Sequence, residues 1–214
     1  LNLRLILLGA MCAALSCGAS FADEDPTLSF YEGFGHYKLE GSFFVDSDQQ
    51  LIWDVLTDYQ HIPDFVGSMK VSHVDSRFGD DLVLHQEPEG GFLFFTKRLH
   101  LTLSVHETPK SSIVFQDTSH QDFEFYQGSW QIQPAESGEG FEVIYDLDAQ
   151  QNFSAPAFLA SDAVSGGARD LLKKVREEIL KRKELAKKKT EEEAVQLTRS
   201  PKTIASGRVE EENN

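Results

Sequence analysis

Along most of the middle of this chain, hydrophobic and polar residues alternate with a period of two, and only two stretches show helical spacing. Tyr37, Leu39, Gly41, Phe43 and Val45 alternate with Lys38, Glu40, Ser42 and Phe44, which predicts a half-buried strand. Asp23 to Phe34, before it, reads as a polar lead-in with Pro26 and Gly33. Asp46-Ser47-Asp48 then supplies N-cap chemistry. Leu51, Ile52, Val55 and Leu56 share one face of the helix that follows, with Trp53 beside it. Pro63 ends that helix or opens a second short turn. Met69 to Arg77 and Asp81 to Glu87 predict a hairpin turning at Phe78-Gly79-Asp80, and Glu89-Gly90-Gly91 makes the next turn.

Phe92 to Phe95 is continuously apolar. From Leu99 the alternation becomes strict: Leu99, Leu101, Leu103 and Val105 face one way, and His100, Thr102, Ser104 and His106 the other. Ile113 and Phe115 mark another strand. Phe123 and Phe125 keep odd parity, whereas Tyr126, Gly128, Trp130 and Ile132 are even. A parity slip beside a glycine predicts a β-bulge. Phe141, Val143, Tyr145 and Leu147 restore the alternation in the last strand.

Strands joined by such short turns pair antiparallel, and their alternation leaves one face dry and one wet. The dry face needs a cover. A closing helix supplies it, with Phe158, Leu159, Val164, Ala168, Leu171, Leu172, Val175 and Ile179 on one stripe and Pro156 in the first turn. Gly166-Gly167 inside this helix predicts either a break or a close approach by another element.

The ends of the chain are different in kind. Arg4, the apolar run Leu5 to Leu15 and Ser20-Phe21-Ala22 have the layout of a cleavable export signal over residues 1–22. The apolar run is shorter than the roughly 18 residues a membrane span needs. Cys17 follows Leu15-Ser16, one place too close for the usual lipobox. Both cysteines, Cys12 and Cys17, fall inside this segment, so the predicted mature protein is free of disulfides and thiolate chemistry. The expectation is therefore a periplasmic or secreted protein, with one domain over residues 23–183. Residues 184–214 form a charged tail, expected to be disordered. Lys181 to Lys189 could meet anionic lipid headgroups in a transient membrane contact. The simpler reading is a solvated helix end laced with pairs such as Glu177 to Lys181 and Glu184 to Lys188. The formal net charge of -15 repels phosphate backbones and argues against nucleic acid as a partner.

At this point the residues match a family. Trp53-Asp54-Val55-Leu56-Thr57-Asp58-Tyr59, with Pro63 and Phe65 behind it, resembles the first helices of the polyketide cyclase/dehydrase and coenzyme Q-binding proteins of the START-like, or Bet v 1-like (SRPBCC), superfamily. Leu93-Phe94-Phe95, the pattern Tyr126-x-Gly128-x-Trp130-x-Ile132, and Tyr145 followed by Pro156 are similar to that family's middle strands and ending. The resemblance covers about residues 37–183. It implies an α+β helix-grip fold: a curved antiparallel sheet wrapped around a long C-terminal helix, with two short helices after the first strand and an apolar cavity between. It also implies binding of lipids, quinones or polyketide-like molecules.

Candidate chemistry is sparse. The seven histidines show no HxH or HExxH spacing, so no metal site is predicted. No GxSxG nucleophile motif is present, and Gly33-Phe34-Gly35 lacks the rest of a dinucleotide fingerprint, so no cofactor is implied. Asp122 with Glu124, and Asp146 with Asp148, could do acid–base work but read as solvated strand faces. His85 would be a candidate base if it faced a cavity. The aromatics carry more information, with 16 phenylalanines in 214 residues. Phe65, Phe95, Phe125, Trp130, Tyr145 and Phe158 are the expected ligand-binding residues, lining a pocket for an apolar molecule. The leading expectation is therefore non-catalytic binding or transport of a hydrophobic small molecule. The alternatives are a cyclase/dehydrase-type enzyme acting on an apolar substrate, or an interaction module with a filled core.

Overall fold

The computed structural model describes residues 25–92, 95–136, 138–152 and 157–199. Residues 1–22, expected to form an export signal, lie outside the described residues. Among the described residues, nine strands form one antiparallel sheet: β1 (Thr27–Gly33), β2 (His36–Val45), β3 (Met69–Phe78), β4 (Asp81–Phe92), β5 (Phe95–Arg98), β6 (Leu101–Thr108), β7 (Ser112–Asp117), β8 (Phe123–Pro134) and β9 (Phe141–Gln151). Their order is β1-β2-β9-β8-β7-β6-β4-β3, with β5 paired only to β4. Between β2 and β3 the chain crosses to the far edge through α1 (Gln49–Leu56), a 3-10 turn (Tyr59–His61) and α2 (Ile62–Phe65). The long helix α3 (Ala157–Arg199) fills the concave side. This is the helix-grip arrangement.

The periodicities explain why. On β2, Tyr37, Leu39, Phe43 and Val45 are buried while Lys38 and Glu40 are exposed. Asp48 caps α1 by accepting from the Leu51 amide at 2.9 Å, which satisfies one of the helix's orphan donors. Against the sheet α3 lays Ala168, Leu172, Val175 and Ile179, all buried. Arg176 Nε on the same helix donates to the Phe44 carbonyl at 3.0 Å.

Four expectations are corrected. The lead-in is not irregular: β1 pairs with β2 through a two-residue loop, Phe34-Gly35, whose φ angles of 54° and 77° suit a hairpin turn. The bulge lies at Glu124 rather than beside Gly128, because Phe123 pairs with Gln151 and Phe125 with the adjacent Gln150. Gly166 and Gly167 neither break α3 nor admit a neighbour. The helix runs straight through them, and a Cβ at either would meet nothing within 4 Å. Finally, the chain beyond Lys183 stays helical as far as Arg199, with Glu184 to Gln196 exposed throughout.

Candidate functional site

Between sheet, short helices and α3 lies a partly open cavity of about 100 Å³. The sheet side is built by the inward parity of β4, β6, β7, β8 and β9: Leu84 and Gln86, Leu103 and Val105, Ile113 and Phe115, Tyr126 and Trp130, and Tyr145. The lid is Val55 and Leu56 of α1, Tyr59, and Ile62 and Phe65 of α2, with Met69 behind it. Leu171 and Val175 of α3 close the back.

The wall of β7, β8 and β9 is a continuous aromatic cluster. Trp130 and Tyr145 stand with ring centroids 4.5 Å apart, Phe115 and Tyr145 at 6.3 Å, Phe115 and Tyr126 at 5.9 Å, and Phe123 and Tyr126 at 5.0 Å. Gly128 makes this possible. It shares inward parity with Tyr126 and Trp130, and a Cβ there would strike the Asp146 carbonyl and come within 2.7 Å of the Phe115 ring. A glycine lets the ring lie directly over the β8 backbone.

Few polar groups reach the space. Tyr126 of β8 and Tyr145 of β9 both line it. Burial pushes both phenols above their ordinary range, and for Tyr145 the neighbouring Tyr126 adds to the effect. Gln86 donates to Ser72 Oγ at 3.2 Å. Tyr59 donates to Glu107 Oε1 at 2.8 Å, a carboxylate also held by both terminal nitrogens of Arg77 at 2.8 and 2.9 Å. Burial works to raise the Glu107 carboxyl, but the bonds from Arg77 and Tyr59 outweigh it and leave it below the usual range. Burial and the adjacent Glu107 hold the Tyr59 phenol far above its own.

A second tie fastens the lid to α3. Asp58 accepts from Arg182 at 2.8 Å and sits 2.5 Å from His61 Nδ1. Burial would raise Asp58, and the bonds from His61 and Arg182 reverse that. Arg182 is itself oriented by Glu178 at 2.9 Å.

Of the six expected site residues, Phe65, Trp130 and Tyr145 line the cavity. Phe125 does not. The bulge at Glu124 turns it to the outer face, where its ring stands 5.6 Å from that of His36. The side chains of Phe95 and Phe158 lie outside the described residues. His85 also faces outward, packed on His73 and 3.3 Å from Glu87, so it has no access to the cavity. Asp122 is buried as a structural acceptor for the His100 amide and Lys97. Asp148 sits on the outer face with His36 and Lys38. Sequence reading missed Tyr126 as a lining residue although it shares the parity of Trp130. It also missed Gln86, Phe115 and Tyr59. No cluster of metal-ligating side chains occurs among the described residues.

A wider depression of about 530 Å³ opens on the outer face across β1, β2, β9, β8 and β7. Lys38, Glu40, Asp146 and Asp148 lie along it. It is a solvated trough of a twisted sheet and offers an apolar ligand no shelter.

The profile of the family described as polyketide cyclase/dehydrase and lipid transport matches residues 45–176. Among solved structures, the Zhui aromatase/cyclase from Streptomyces superposes with a TM-score of 0.58 at 13% identity, covering 69% of this chain and 95% of that one. A STAR-related lipid transfer protein from Xanthomonas axonopodis gives 0.55 at 13% identity, covering 73% and 99%. Human STARD10 gives 0.55 at 14% identity, covering 84% of each chain. These likenesses establish the fold. Among curated proteins none matches the chain significantly.

Proposed function

Because the chain belongs to the polyketide cyclase/dehydrase and lipid transport family, we propose that it binds a hydrophobic small molecule without transforming it, in the cavity beneath the lid 59–65. The observation that carries this reading is the interior space itself, walled mainly by aromatic and aliphatic side chains, with Tyr59, Gln86, Tyr126, Trp130 and Tyr145 the lining residues that carry polar groups. Affinity comes from burial, at roughly 25 cal/mol per Å² of apolar surface removed from water. At about 100 Å³ the space suits a small ring. A longer lipid or a prenylated quinone would enter only if the lid moved outward.

The same lining favours binding over a cyclase-type reaction. Among its described residues there is no carboxylate, imidazole or amine to move a proton. The tyrosines stay neutral, since their phenols are held above the ordinary range. The carrier acts after export, with residues 1–22 removed by signal peptidase. N-terminal sequencing of protein recovered from a periplasmic fraction would begin at Asp23 on this reading. Native mass spectrometry of that same protein would show a retained apolar molecule. Protein that is repeatedly empty, and that takes up neither quinones nor lipids on titration, would overturn the carrier reading.

A further inference from the structure

We propose that the outer edge of β1 is an interaction surface for a second copy of this chain, added antiparallel, strand to strand, with Ser29 of each copy on the two-fold axis. The strand order ends at β1 on one side and at β3 on the other. The two ends are built differently. β3 carries Lys70, His73, Asp75 and Arg77, and its register against β4 shifts twice, between Met69 and Val71 and between Val74 and Ser76. Charges and bulges of this kind keep an edge from accepting another strand. β1 lacks that protection. All seven of its residues pair with β2 without a shift, and Glu32 is its only charged residue.

The parity of the ladder says which groups this edge offers. A two-residue hairpin loop closes on a hydrogen-bonded pair, here Gly33 with His36. Gly33, Tyr31, Ser29 and Thr27 therefore turn their backbone groups toward β2. The far side of β2 agrees: the Gln151 amide donates to the Gly35 carbonyl at 3.0 Å, so β9 bonds the odd-numbered positions and leaves the even ones of β2 to β1. Leu28, Phe30 and Glu32 then direct their N–H and C=O groups away from the sheet, along an edge that no described strand pairs. An antiparallel strand is the partner that satisfies such a row.

The side chains fit a second copy. Leu28 set opposite Phe30 of that copy joins two outward-bonding positions, and the two-fold axis makes the same contact again. Both side chains are partly buried against the core, on the side of the sheet that α3 covers. On the outer face Thr27 would oppose Tyr31, now 62% exposed, and Ser29 would oppose itself. Sliding by two residues would set Leu28 against Glu32 instead, so the side chains select the register. In the favoured register Glu32 falls opposite Pro26, at the margin, and no like charges meet.

The test needs no ligand and does not depend on the cavity. Amide hydrogen exchange of the full chain is followed by NMR between roughly 1 mM and 50 µM protein, because one short strand pair lies at the weak end of protein interfaces. Leu28 and Phe30 should be protected at the upper concentration and lose protection on dilution, whereas Ser29 and Tyr31, bonded to β2, keep theirs. Sedimentation should show dimers at the upper concentration. Ser29→Lys and Ser29→Glu should each weaken association by at least about tenfold, since like charges then face each other across the axis, and an equimolar mixture of the two should restore it. Free exchange of Leu28 and Phe30 in wild type at every concentration overturns the proposal even if the variants fail to fold. Protection that ignores dilution in a monomer also overturns it, and would mean that the edge is covered from within the chain. Dimers that persist in both variants would lie on another surface, and they overturn it as well.

Discussion

Tyr59, in the 3-10 turn of the lid, donates its hydroxyl to Glu107 of β6 at 2.8 Å, a partner 48 residues further along the chain. Arg77 of β3 grips the same carboxylate with both terminal nitrogens, so lid and sheet share one buried anchor. Only 7% of Glu107 is exposed. The anchor stands beside the cavity, and the lid cannot swing outward without leaving a desolvated carboxylate short of a donor.

Tyr59→Phe should therefore loosen the lid while keeping its apolar contacts. Loss of one hydrogen bond to a charged acceptor is expected to lower stability by about 2 kcal/mol. Amide hydrogen exchange over residues 59–65 should rise more than exchange in β9, and ligand exchange should quicken. Uniform acceleration across the sheet would instead mark a global loss of stability.

Acid should weaken the lid in a defined window. Glu107 and Asp58 both sit below their ordinary values of 4.5 and 3.8 in the folded protein. A depressed carboxyl contributes stability that is present above its unfolded value and disappears as pH falls through the lower folded one. His61 runs the other way. Its bond to Asp58 raises it above 6.5, so its contribution is present below that value and fades as pH climbs through the folded one. Stability should thus peak between about pH 5 and 6.5. Asp58→Asn should remove the decline on the alkaline side of that peak and blunt the acid limb, as read by urea denaturation across pH.

Gly128→Ala should be disruptive out of proportion to one methyl group. The new Cβ would meet the Asp146 carbonyl, which cannot yield, and the Phe115 ring. Overpacking of this kind typically costs about 1–3 kcal/mol, and more when the obstacle is backbone. The near-UV circular dichroism of the Trp130–Tyr145 cluster should change with it. An unaltered spectrum and melting temperature would refute the role given to this glycine.

Gly166→Ala and Gly167→Ala should do the opposite. Both positions are helical, exposed and surrounded by open space. Each alanine is expected to stabilise α3 by about 1 kcal/mol. The double variant should melt higher by roughly twice the single shift, because neither side chain has a neighbour through which to couple.

How much of this could be read from sequence depends on what each signal reports. The alternation in β2, β6 and β9 was legible because one face of the sheet is dry and the other wet, so burial is written residue by residue. β1 escaped notice because its inward Leu28 and Phe30 are only partly buried and its outward Tyr31 is aromatic too, which blurs the period. Phe125 was placed on the wrong face because a parity slip says that a bulge exists, not on which side of the slip a given residue falls. The Tyr59–Glu107–Arg77 anchor joins residues 30 and 48 positions apart, and no local pattern encodes such a meeting. One clue did exist: Glu107 continues the inward row of Leu101, Leu103 and Val105, and a carboxylate in that place must find partners.

The hollow between sheet and α3 makes the unliganded domain bulkier than close packing requires. Unfolding would let water occupy that emptiness, so the unfolded chain takes up less volume and hydrostatic compression favours it. A guest that fills the chamber removes this weakness. The protein's tolerance of squeezing should therefore rise with occupancy, which turns pressure into a gauge of cargo that needs no label.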